Sequence, residues 1–205
     1  MNLNTFPTKG NLILAKNSLA LAKQGYELMD KKRNILIREL MELIDKASSI
    51  QTEIDSTYAA AYAALQQANI ELGIHTVQDI AASIAPEESI TIKTRSIMGT
   101  EIPLVGYTPS TSSKPAYAFY GTKEALDVAR QKFERVKALT VELSTVETSA
   151  YRLATNIKKT QKRANALKNI TIPTYEVLVK SISNALEEKE REEFTRLKVI
   201  KERIS

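Results

Sequence analysis

The chain contains no cysteine, which excludes disulfides and thiolate metal sites and suits a reducing, cytoplasmic setting. Tryptophan is also absent, and only 6% of the 205 residues are aromatic against 26% charged. That is thin material for a compact core built on large rings. His75 is the single histidine, so neither a two-histidine metal site nor a Ser-His-Asp triad can be assembled, and His75 itself reads as a loop or helix-end residue. No glycine-rich phosphate loop and no GxSxG elbow occurs. No run approaches the length of a membrane span, and the opening "MNLNTFPTKG" lacks a signal-type apolar block. Together these absences point to a soluble protein that is not an enzyme, with no catalytic residues, no cofactor and no metal. The excess of basic over acidic residues, a formal +5, favours an acidic partner without naming one.

Glycine and proline are scarce as well, six of each, and unevenly placed. Eight of these twelve fall between Gly73 and Gly121, which leaves only Pro7, Gly10, Gly25 and Pro173 outside. Because these residues punctuate helices, the chain reads as a lead-in over 1–10, a first helical arm over 11–72, an irregular middle over 73–121 and a second arm over 122–205.

What the arms do contain is a seven-residue repeat. In the first arm Leu12, Leu19, Tyr26, Arg33, Leu40, Ala47 and Ile54 recur at this spacing, accompanied by Ala15, Ala22, Met29, Leu36, Leu43 and Ile50. The second arm repeats the pattern with Val136, Leu143, Ala150, Ile157 and Ala164, and with Leu139, Val146, Leu153, Thr160 and Leu167. A strict seven-residue period imposes a left-handed supercoil on paired helices, whose seam needs Leu, Ile, Val and Ala rather than rings. Arg33 and Thr57 are the flaws in this seam. The expectation is an all-α-dominated fold, a long antiparallel two-helix coiled coil of roughly 90–120 Å at about 1.5 Å per residue. Homodimerisation through the same stripes is the competing arrangement.

The middle has a different character. "ITIK", Ile90–Lys93, alternates apolar and polar residues, and "EIPLV", Glu101–Val105, follows after a connection containing Gly99. This predicts a short β-hairpin at about 89–106, with Ile90, Ile92, Ile102 and Leu104 as its apolar positions and Pro103 at an edge or strand start. The hairpin is expected to project from the helices, either as a docking or regulatory element or as decoration on a simple helix reversal. "HTVQDIAASIAPEES" predicts a short helix ending near Pro86, and "TPSTSSKPAYAFYG" a polar loop anchored through Tyr117, Phe119 and Tyr120.

One stretch stands apart. "KKTQKRANALKNITIP", Lys158–Pro173, carries five basic residues and no acid. Folding the arms back on each other sets Lys158, Lys159, Lys162, Arg163 and Lys168 opposite a window that includes Lys31, Lys32 and Arg38. The expectation is a basic collar, the competing reading being scattered solvated lysines, with a kink or turn expected at Pro173. By contrast, the acids of "EEKEREEF", Glu187–Phe194, are spaced three and four residues from Lys189, Arg191 and Arg196, as on a solvated helix face.

Both arms resemble a known family beyond their periodicity. "FPTKGNLILAKNSLALAKQGYELMDKKRNILIRELMELI", Phe6–Ile44, looks like the N-terminal arm of the D subunit of V-type and archaeal-type rotary ATPases. "TQKRANALKNITIPTYEVLVKSISNALEEKEREEFTRLKVIK", Thr160–Lys201, is similar to that family's C-terminal signature. The resemblance implies an antiparallel coiled coil acting as the central rotor shaft. It implies partners too: a hexamer of catalytic A and B subunits, the F subunit of the central stalk beside the shaft, and a funnel-shaped adaptor on the membrane ring. ATP chemistry would then lie on the partner subunits, and the chain would be cytoplasmic and peripheral to the membrane. The competing reading is a coiled-coil scaffold that binds nucleic acid or a membrane surface through the collar. Against it, Lys158–Pro173 has no aromatic residue to stack on bases, and the apolar face a membrane would need is committed to the seam.

Overall fold

The structure, a computed structural model, describes residues 6–84, 89–107 and 117–204. Along the chain it comprises helix α1 (Lys9–Leu72), helix α2 (Ile74–Ala82), strands β1 (Ile90–Ile97) and β2 (Thr100–Tyr107), helix α3 (Glu124–Ala166), a π turn (Leu167–Thr171) and helix α4 (Ile172–Ile204). The fold is all-α with one two-stranded antiparallel hairpin. These elements gather into two compact units, Met1–Ile35 with Ile157–Ser205, and Leu36–Asn156. Each unit therefore draws on both arms.

Helix α1 starts where Thr8 accepts the Asn11 N–H on its Oγ1 at 3.2 Å, an N-cap that satisfies one of the first free donors. It ends at Gly73, whose φ of 85° is cheap only for glycine. The Gly73 carbonyl then accepts from the Val77 N–H at 3.2 Å, so α2 begins without an intervening loop. At the other side of the middle, Gly121 (φ 81°) precedes α3, which carries Glu124 and Asp127 in its first turn, where the helix dipole favours acids.

In the first unit α1 lies antiparallel to the chain from Ile157 onward. Lys9 pairs with Glu190 at 3.1 Å, Lys23 with Glu176 at 2.8 Å, and Arg33 donates to the Gln161 Oε1 at 2.9 Å. Seam positions Thr160 and Ala164 are buried, with Ile157 and Leu167 half-buried. Past Leu167, Thr171 at four residues on and Ile172 at five are both half-buried, so the inward face widens there by one residue. Thereafter Tyr175, Val179, Ile182 and Leu186 resume the usual alternation of three and four. The π turn supplies the extra residue, its Ile172 N–H reaching back five positions to the Leu167 carbonyl. In an unbroken α-helix the Pro173 ring would press on the carbonyl of Asn169 and leave it without a donor. The kink or turn expected at Pro173 is thus a π turn just before it, and helix α4 continues through the proline.

The second unit is also antiparallel, as Lys46–Glu142 at 2.7 Å and Glu53–Arg135 at 2.6 Å mark. Its main cluster is Ile50, Ile54, Leu139 and Val146, with Leu43, Ala47, Tyr58 and Leu143 packed against it. Nearer the chain reversal the residues shrink: Ala61 and Ala68 are completely buried, and Ala68 joins Val77 and Leu126 in a second cluster. Small side chains let backbones approach closely enough for α2 to close that end.

The hairpin turns through Met98 (φ 48°) and Gly99 (φ 76°), two consecutive positive φ angles as in a type I′ turn. Pro103 lies opposite Thr94. Counting from the Ile97–Thr100 pair that closes the turn, this is a non-hydrogen-bonded position, so the ladder loses no donor. The expectation that the hairpin projects freely is corrected here, because β2 lies along α3. Thr100 accepts a hydrogen bond from Asn156, the Arg152 guanidinium donates to the Glu101 carbonyl at 3.1 Å, and Lys137 sits 5.6 Å from the Tyr107 ring centroid. Thr100 and Ile102 are buried as a result, whereas β1 is exposed from Ile90 to Ser96.

Candidate functional site

Of the sequence-derived seam, Leu36, Ile50, Ile54, Val136, Leu139, Val146 and Leu153 are buried, and Leu12, Leu19, Tyr26, Met29, Leu40, Leu43, Leu143, Ile157 and Leu167 are half-buried. Arg33 is reconciled with its seam position by three oxygens. Besides Gln161 it meets Asp30 at 2.5 Å and the Asn34 Oδ1 at 3.1 Å. The other flaw, Thr57, donates its hydroxyl to the Glu53 carbonyl at 2.6 Å. These residues hold the helices together.

The basic residues behave differently. Lys31, Lys158, Lys159, Lys162, Arg163 and Lys168 are exposed and Lys32 is half-buried. All seven belong to the first unit, whereas Arg38, also exposed, belongs to the second. Arg33–Gln161 and Tyr26–Lys168 both pair residues whose numbers sum to 194 (33 + 161 and 26 + 168), which sets Lys31 and Lys32 level with Lys162 and Arg163. Among the described residues none of these seven makes an ion pair, and Lys168 alone has a charge-linked partner, its ammonium 5.8 Å from the Tyr26 ring centroid. The reason is compositional. No acid occurs between Glu147 and Glu176, so the second arm offers them nothing in reach.

A second feature escaped the sequence reading. Leu14, Leu21, Leu28 and Ile35 of α1 are exposed, the first three by 64%, 68% and 63%. They form an outward apolar series beside the inward one. Their spacing of seven was the available signal, but it was masked by the stronger series two residues earlier at Leu12, Leu19, Tyr26 and Arg33.

The hairpin positions divide. Ile102 is buried on α3, while Ile90, Ile92 and Leu104 are exposed. In the same unit, Leu65, Val77, Ile80, Leu126, Ala129 and Phe133 line most of an apolar cavity of ≈ 360 Å³, with Tyr117 and Arg130 among its polar neighbours. Tyr117 donates its hydroxyl to Asp127 at 2.5 Å. Burial first, and then this carboxylate, raise the phenol above its ordinary value. Tyr117 is the anchor of its loop; Phe119 and Tyr120 are exposed, and residues 108–116 of that loop lie outside the described residues, as does Pro86.

His75 is exposed at the start of α2, and the acids of Glu187–Glu193 are exposed along α4. No group of His, Asp and Glu able to hold a metal occurs among the described residues, nor does any helix there long and apolar enough to cross a membrane. The surface offers contacts instead: paired helices with unpartnered cations on one stretch and an apolar series on another.

A family model for the D subunit of ATP synthase matches residues 11–202. The chain is 41% identical to the V-type ATP synthase D subunit of Thermotoga neapolitana over 203 residues, which is 99% of this chain and 100% of that protein. It is 39% identical to the A-type ATP synthase D subunit of Pyrococcus furiosus and 37% identical to that of Thermococcus kodakarensis, in each case over 97% of this chain and 94% of the relative. A match that runs through both arms and the hairpin between them places the whole length, not one helix, in a single family: the chain belongs to the D subunits of the V-type and A-type ATP synthases.

Proposed function

We propose that the chain is the central rotor shaft of its ATP synthase complex, coupling ATP hydrolysis or synthesis in a hexamer of A and B subunits to rotation of a membrane ring and ion transport. In this reading it is non-catalytic and sits peripheral to the membrane. The F subunit docks beside it and a funnel-shaped adaptor joins it to the ring. Coupling requires each state of a catalytic pocket to interact differently with each orientation of the shaft. The observation that carries the reading is the set of exposed cations without ion-pair partners on Lys31, Lys158, Lys159, Lys162 and Arg163, set on a helix pair whose buried positions are all committed to packing.

A rotor must be gripped without being locked. Breaking a desolvated ion pair leaves a buried charge and costs about 3–5 kcal/mol. Water-screened pairs contribute about 0–1 kcal/mol each, so a ring of them can guide orientation and still release. Exposed lysines and arginines facing acidic groups of the hexamer fit the second regime. Changing Lys158, Lys159, Lys162, Arg163 and Lys168 to Gln should leave the melting transition of the chain unchanged and weaken its binding to the A–B hexamer, with a loss that shrinks as salt rises. Should hexamer affinity stay the same while the wild type binds a short DNA duplex at physiological salt with a steep salt slope, the nucleic-acid reading replaces this one.

A further inference from the structure

Gly25 lies inside α1, well away from either end, with no positive φ to require a glycine. Across the seam, the nearest atom to a Cβ built on it is the Leu167 Cδ1 at 3.7 Å, an ordinary contact distance. Alanine would therefore fit. Neither backbone conformation nor packing accounts for the glycine, although it weakens a helix relative to alanine by a factor of about 2–5 in the closed-to-open equilibrium.

Leu167, the residue Gly25 faces, is the first of the π turn. That turn is the weak point of the opposite helix for separate reasons. Pro173 supplies no backbone donor, and two carbonyls near the turn accept side-chain hydroxyls, Ala166 from Thr171 at 3.4 Å and Ile170 from Thr174 at 2.6 Å. Hydroxyl contacts of this kind bend and slightly destabilise helices. The inward face also widens here, Thr171 and Ile172 both being half-buried. The ring of Tyr26 and the Lys168 ammonium, 5.8 Å apart, bridge the two helices beside the site without filling it.

We propose that Gly25 and the π turn Leu167–Thr171 form a yielding joint within the first unit. There both helices open together, ahead of the segments on either side, and the extra residue lets the second helix change its winding against the first. A glycine or a π turn alone would weaken one strand. Set face to face, they concentrate the weakness of both at one level, where a twist applied along the pair is absorbed. The joint is a property of this helix pair and does not depend on the rotor reading, but a shaft under torque would use it.

The test is amide hydrogen exchange on the full-length chain, read by mass spectrometry or NMR, for wild type and Gly25→Ala. In the wild type, amides at 22–28 and 165–174 should exchange at least about tenfold faster than those at 12–19 and 176–183. Gly25→Ala should raise the melting temperature and slow exchange about 2–5-fold in both windows, including the one on the opposite helix. Three results would overturn the joint. Uniform exchange along the pair in the wild type removes the weak point. Slowing confined to 22–28 makes Gly25 a matter of local helix propensity only. A Gly25→Ala chain that melts lower or fails to fold means that glycine is required by packing.

Discussion

Replacing Leu139 by Ala should be among the most costly single truncations in the second unit, and the cost can be worked from its surroundings. Leu139 is 4% exposed and sits in the cluster of Ile50, Ile54 and Val146. Truncation removes three carbons, about 2.4 kcal/mol of transfer free energy at about 0.8 kcal/mol each. A cavity term is added, but a seam one side chain deep can partly close over the gap, which holds the total to about 2.5–3.5 kcal/mol within the usual range of about 2–5. Leu43 packs against the same cluster but is only half-buried. Its truncation forfeits roughly half the transfer term and leaves a site open to water, about 1–2 kcal/mol. In a urea titration followed by far-UV circular dichroism, with a slope of about 2 kcal/mol/M, the midpoints should fall by about 1.5 M for Leu139→Ala and about 0.7 M for Leu43→Ala. Because Ile50 and Leu139 share one cluster, the double variant Ile50→Ala/Leu139→Ala should cost less than the two single losses added. Equal losses at Leu43 and Leu139, or strict additivity of the pair, would refute this packing.

Other consequences can be checked alongside. Asn156→Ala with Arg152→Ala removes two hydrogen bonds between β2 and α3, so hairpin amides should exchange faster while the helical dichroism stays as it is. Raising the Tyr117 phenol above its ordinary value means that the folded chain holds this proton more firmly than the unfolded one. Stability from this group is therefore complete below pH ~10 and falls as pH rises through the folded value, and Tyr117→Phe should flatten that alkaline decline. The exposed pair Lys23–Glu176 should contribute less than about 1 kcal/mol, so Glu176→Gln should move the melting temperature little at any salt concentration.

Much of the fold is legible in the chain because it follows from two simple signals. Glycine and proline crowd into Gly73–Gly121, and between them α2 and the hairpin are found. Seven-residue spacing singles out Val136, Leu139 and Val146, and these are among the most deeply buried side chains. The hairpin is foreshadowed by "ITIK" and "EIPLV", but each strand runs to eight residues, because Thr94, Arg95 and Ser96 pair through backbone groups that no side-chain pattern reports. Its turn was harder still. Met98 at positive φ has none of the Asn or Gly character that such a position favours. Nor does alternation reveal that β2 rests on α3, since that depends on Asn156 and Arg152, some fifty residues away, reaching Thr100 and Glu101.

The candidate surface was legible only where composition alone decides it. An acid-free stretch from Thr148 to Tyr175 leaves its cations without neighbours in their own helix, and that much a sequence can say. Which cations share a level depends on the register, which Arg33–Gln161 fixes ahead of the π turn, whereas the positions that face inward beyond Leu167 depend on the turn itself. A seven-residue count carried past Leu167 would send Ser181 inward and leave Ile182 outside, whereas Thr174 and Tyr175 are half-buried alike. In the structure Ile182 is buried and Ser181 exposed. Proline was the visible half of the cause, since Pro173 announces that the α repeat must fail nearby. The hidden half is how it fails. A kink would have preserved the count and bent the axis, whereas a π turn takes one extra residue into its wider turn and keeps α4 helical, avoiding the rotation of about 100° that an unabsorbed residue would cause in a helix of 3.6 residues per turn. Ile172, Tyr175, Val179 and Ile182 are apolar one place later than the earlier series demands, so the sequence from the end of the π turn onward is written for that shifted count. The phase change was therefore present in the residues, as a slip in spacing, but it carried meaning only once a π turn was there to absorb it.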